Sequence, residues 1–114
     1  MSKKDKIDEF TTLGAKALRH KIGSIVNANE IYAQKYARDY DILKVEAIKA
    51  IAEINLNEVE KIKITNILKN KLRKELESKD FIDDKKFEIM NKEINDFLKE
   101  IFNWACTDID NSDD

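Results

Sequence analysis

The sequence predicts an all-α protein: an antiparallel bundle of about four amphipathic helices, which homodimerisation could complete. Three observations carry that expectation. Of 114 residues none is Pro and only two are Gly, so the turn residues that sheets and loop-rich folds need are missing. Apolar residues make up 42% and charged ones 39%, which is too hydrophobic for a disordered chain and charged enough to clothe long helices. Read with helical periodicity, the apolar residues gather on one side of four successive segments.

The first segment, roughly 5 to 26, puts Ile7, Phe10, Gly14, Ala17, Leu18 and Ile25 together. Gly14 lies inside that face. A mid-helix Gly costs about 1 kcal/mol relative to Ala, so its place there implies close approach by another helix. Asn27 and Glu30 then form an N-x-x-E start, an analogue of the capping box.

The second segment, about 28 to 54, is the longest. Its apolar arc carries Tyr32, Tyr36, Tyr40, Leu43, Ala47, Ile51 and Ile54, while Ile31 and Ile42 sit off the stripe. Asn57 and Glu60 repeat the N-x-x-E start and open a third helix, about 58 to 78, with Leu68, Leu72 and Leu76 in line. Ile62 and Ile64 flank that line and Ile67 lies further round.

In the fourth segment Asp83 fits an N-cap, with Ile82 before it and Phe87 four residues after it as a hydrophobic staple. A helix over 84–106 follows, its stripe made of Phe87, Met90, Ile94, Phe97, Leu98, Ile101 and Ala105, with Trp104 at the edge. Phe102 and Ile89 point away from it. The connections are short, so sequential helices should run antiparallel. Residues 1–106 read as one helical domain and 107–114 as an acidic tail.

Function is constrained mainly by what the chain lacks. Cys106 is the only cysteine, which excludes an intramolecular disulfide, and it lies near a helix C-terminus, where the dipole does not favour a thiolate. His20 is the only histidine, so paired-histidine metal and acid–base chemistry has no basis. The DIDNSDD stretch lacks the Gly and closing Glu of a calcium loop. With no glycine-rich phosphate loop, the expectation is a protein without catalysis, metal or cofactor. No apolar signal or membrane-spanning run is present, which favours the cytoplasm and no membrane partner.

Two surfaces remain as candidates. Tyr32, Tyr36 and Tyr40 recur every fourth residue, and buried phenols need hydrogen-bond partners that a bundle interior rarely offers. Tyrosine suits a protein interface, with its apolar body and wet tip. Interleaved with Ala33 and Ala37, the row also suits close helix packing and reads first as core; the part of it left outward, with Phe102 and Trp104, makes the first candidate surface, for a protein partner or a second copy. The second is KIKITNILKNKLRK, residues 61–74, with six Lys or Arg and no acid. Lys69 and Lys71 lie on the rims of its apolar arc, with Lys63, Arg73 and Lys74 spread between them and Asn66 and Asn70 near the centre of the polar side. A duplex-binding helix aims cations at phosphates and polar tips at base edges, whereas rim lysines suit a solvated border. The reading is therefore a protein-interaction module, such as an adaptor, inhibitor or immunity-type factor. Its bias of 18 Lys to 3 Arg with abundant Ile and Asn resembles AT-rich bacterial coding, as in phages and mobile elements. The alternative is a dimeric nucleic-acid-binding regulator using the 61–74 helix.

Overall fold

The computed structural model describes residues 2–26, 30–52, 54–78 and 85–102. All regular structure among them is helical: α1 (Lys3–Val26), α2 (Glu30–Ile51), α3 (Glu58–Glu77), a single turn α4 (Lys85–Glu88) and α5 (Met90–Phe102). The expected fourth helix is thus divided at Ile89, and its continuation past 102 lies outside the described residues. So do the Asn27 and Asp83 caps, the acidic tail, Trp104 and Cys106.

Side-chain pairs fix the helix directions. Gly23 lies under the Tyr36 ring, while His20 faces Tyr36 and Asp39, so α1 and α2 are antiparallel. Lys3 pairs with Glu60, Gly14 meets Leu68 and Arg19 pairs with Glu75, so α1 and α3 are parallel. Phe10 touches Phe97 and Phe102, and Lys21 meets Glu93, which sets α5 antiparallel to α1. Up-down-up-down order results, with α1 as the hub: α2, α3, α4 and α5 all pack on it, while α2 and α3 do not pack closely on each other.

That hub role matches the composition of α1. Phe10, Thr11, Gly14, Ala15, Ala17, Leu18, Ile22 and Gly23 are all buried, mostly small or aliphatic residues that admit neighbours on several sides. At Gly14 the backbone is so close to its neighbours that a Cβ would stand 3.1 Å from Phe97 Cε2 and 3.3 Å from Leu68 Cδ1. The Thr11 hydroxyl is satisfied locally, donating to the carbonyls of Ile7 and Asp8.

α3 contributes one narrow buried row, Ile64, Leu68, Leu72 and Leu76, spaced by four. Its start is the expected capping box: the Glu60 amide donates to Asn57 Oδ1 at 2.8 Å and the Asn57 amide to Glu60 Oε1 at 3.0 Å. α5 closes the core with Met90, Ile94, Phe97 and Leu98. Glu93 is buried in the same helix with its carboxylate 2.8 Å from the Lys21 ammonium, an attraction of charges rather than a well-angled hydrogen bond.

Four residues expected on apolar faces are exposed instead: Ile25, Ile62, Ile67 and Phe87. Ile25 is at the far end of α1 and Ile62 falls beside the narrow α3 row. Phe87 belongs to α4, whose face is displaced from that of α5 by the bend at Ile89.

Candidate functional site: outer faces of the second and third helices

The aromatic residues singled out in the sequence are largely engaged within the bundle. Tyr40 is only 8% exposed and tilts against Phe97 at 6.4 Å, with the Lys21 and Lys44 ammonium groups 5.4 and 5.8 Å from its ring centre. Its hydroxyl has no hydrogen-bond partner among the described residues, and burial, followed by nearby Glu100, Glu93, Asp41 and Asp96, pushes its pKa up to about 12. Tyr36 is half-buried, edge-on to His20 at 5.7 Å and over Gly23. Phe102 is half-buried and meets Phe10 edge-on at 5.3 Å. The Tyr32 side chain and all of Trp104 lie outside the described residues.

His20 is tied down locally. Its Nδ1 lies 2.7 Å from the Lys16 carbonyl oxygen, and since a carbonyl can only accept, Nδ1 carries the proton in that bond. Among the described residues no group of three or more His, Cys, Asp or Glu is arranged to hold a metal ion. Nor is any described helix long and apolar enough to cross a membrane.

The basic helix divides by direction. Lys71 turns inward and its three-donor ammonium lies within hydrogen-bond distance of four oxygens of α1: Asp8 Oδ1 (2.9 Å), the Asp8 carbonyl (3.1 Å), Thr11 Oγ1 (2.8 Å) and Thr12 Oγ1 (2.9 Å). This pairing holds the exposed Asp8 carboxyl below its ordinary pKa, through the hydrogen bond first and the charge second. Lys61 pairs with Glu58, and Lys69 is half-buried. Lys63, Asn66, Asn70, Arg73 and Lys74 all face solvent, and the three cations have no ion-pair partner among the described residues. Of the α1 cations, Arg19 and Lys21 are engaged with Glu75 and Glu93, while Lys16 is exposed.

α2 presents the other outward feature. Its inner side carries Tyr40, Ala47 and Ile51, with Leu43 and Ala50 alongside. Opposite them Ile42, Val45 and Ile48 are 57, 50 and 39% exposed. Single exposed aliphatics are ordinary. These three are successive i, i+3 neighbours on one helix, so their side chains form a continuous apolar row. Ile42 was visible in the sequence as an off-stripe residue. Val45 and Ile48 were not, because which arc of a helix faces out depends on where its neighbours sit, and α3 packs on α1 rather than covering α2.

No family model matches the sequence, and no curated protein or solved structure matches it either.

Proposed function

We propose that the chain is a non-catalytic protein-interaction module whose docking surface is the outer face of α2. The observation that supports this most directly is the exposed row Ile42, Val45 and Ile48 on a helix of 22 residues. A row of this kind leaves apolar area in water that a partner helix can cover in the manner of a helix-in-groove contact. The aromatic residues contribute indirectly: Tyr40 and Phe97 fix the inner side of α2 against the core and so hold the row outward. An adaptor or inhibitor acting in the cytoplasm fits this reading, as does a second copy of the chain.

A second reading is favoured by a separate observation, the exposed Lys63, Arg73 and Lys74, which have no ion-pair partner among the described residues, beside Asn66 and Asn70 on the outer face of α3. In that reading the chain binds nucleic acid, with the cations on phosphates and the amides at base edges. One experiment separates the two. Tagged wild-type protein, Val45→Lys/Ile48→Lys and Lys63→Glu/Arg73→Glu are used for capture from source lysate, with and without nuclease. The first reading predicts a protein partner that survives nuclease and is lost only with the α2 variant. Captured nucleic acid that disappears with nuclease and with the α3 variant would reverse the order.

A further inference from the structure

We infer that the occupant of the α2 outer face is α2 of a second copy, packed antiparallel about a twofold axis beside residues 39 and 40; this rests on the α2 docking surface proposed above and names its partner. The outward residues Ile31, Gln34, Arg38, Asp41, Val45 and Ile48 follow one another at alternating spacings of three and four, the spacing of a helix–helix seam. All are exposed. Arg38 and Asp41 have no ion-pair partner among the described residues.

Charge selects the arrangement. In a parallel pair every seam residue meets its own copy, so Arg38 opposes Arg38 and Asp41 opposes Asp41, two like-charge contacts in the middle of the interface. Reversing one helix about a point between residues 39 and 40 puts each Arg38 opposite Asp41 of the second copy. The same operation sets Ile48 against Ile31 and Val45 against Gln34. A mixed Val45–Gln34 layer and then an apolar Ile48–Ile31 layer flank two ion pairs near the axis, and the patch is complementary to itself as a twofold interface requires. Ile42 lies along the border, where the aliphatic stem of a lysine can cover it. Moving the register by one heptad breaks the Arg–Asp match and places charges against aliphatic residues.

The size of the seam sets its strength. A strip of about 30 Å by about 10 Å covers a few hundred Å² per chain, below the roughly 800 Å² per partner of a standard stable interface. Association is therefore reversible and dependent on concentration.

Sedimentation equilibrium of the full chain over a wide concentration range tests the proposal, with circular dichroism confirming that each variant keeps its helicity. The wild type is expected to shift from monomer to dimer as concentration rises, and Ile48→Lys to remain monomeric. Arg38→Asp places acid against acid twice and weakens association by about tenfold or more, and adding Asp41→Arg to it restores association. Recovery by the exchange is specific to this register. A monomer at every concentration, a dimer indifferent to Ile48→Lys, or a charge exchange that fails to recover each overturns the inference. If the wild type is monomeric while Val45→Lys/Ile48→Lys still abolishes capture of a different protein, only the second-copy assignment fails and the docking surface stands.

Discussion

Gly14→Ala sets two opposing effects against each other, and the structure decides between them. Helix propensity favours Ala by about 1 kcal/mol. Against that, the new methyl would sit 3.1 Å from Phe97 Cε2, 3.3 Å from Leu68 Cδ1 and 3.4 Å from Phe97 Cζ, where carbon pairs prefer about 3.5–4.0 Å. Phe97 has little room to retreat: it is fully buried, stacked on Phe10 with centroids 6.1 Å apart and tilted against Tyr40 at 6.4 Å. Overpacking of this kind costs about 1–3 kcal/mol, so the net change is a destabilisation of about 0–2 kcal/mol. Each kcal/mol lowers Tm by about 4–8 °C in a domain near this size. Urea and thermal unfolding of Gly14→Ala measure the sum, and a double-mutant cycle with Phe97→Leu isolates the clash. In the Phe97→Leu background the methyl has space, and Gly14→Ala should become neutral or stabilising. A single Gly14→Ala variant that gains the full propensity difference would refute the close approach of α5 and α3 to α1.

Three further outcomes follow from the same structure. Asn57→Ala removes half of the α3 capping box and should cost about 1 kcal/mol by urea unfolding, whereas an unchanged midpoint would mean that the box is not formed. Tyr40→Phe deletes a buried hydroxyl that has no partner among the described residues and should be neutral or stabilising by up to about 1 kcal/mol. Because the folded Tyr40 pKa is raised to about 12 from 10.0, the wild type should lose stability as pH rises from 10 towards 12. Tyr40→Phe should lose that part of the alkaline dependence, and a destabilised variant would show that the hydroxyl is bonded. At the acid end, Asp8 and Glu60 have lowered pKa values, Asp8 from its bond to Lys71 and Glu60 first from the Asn57 amide and then from Lys3. Their contribution is complete above the ordinary carboxylate range and is lost as pH falls through the lowered values. Lys71→Met should lower stability at neutral pH and flatten this acid slope; an unaltered pH profile would contradict the Lys71–Asp8 contact.

The fold was legible because its signals are local. Absence of Pro, the apolar periodicity and the N-x-x-E pair at Asn57 and Glu60 all act within a few residues, and they located α1, α2 and α3 to within a few positions. Gly14 was also readable, since only a close neighbour justifies a glycine in the middle of an apolar face. The division of the last helix at Ile89 was not, because no Pro or Gly marks it. Surface assignment depended on which helices pack together. Tyr36 and Tyr40 share a face that suits either core or interface in sequence, and the packing of that face against α1 and α5 decides for the core. Lys71 resembles its basic neighbours on a helical wheel, but only the parallel course of α3 along α1 brings Asp8, Thr11 and Thr12 around it. Val45 and Ile48 were hidden for the same reason: the α2 arc they occupy is left open by α3 packing against α1.

Backbone amide chemical shifts, recorded as protein concentration is raised from dilute to near-millimolar, test the α2 surface most directly. The account predicts progressive shifts concentrated on the outer face of α2 around Arg38, Asp41, Val45 and Ile48, with the outer face of α3 unchanged. Shifts centred on Lys63 to Lys74, or a spectrum independent of concentration, would contradict pairing through α2.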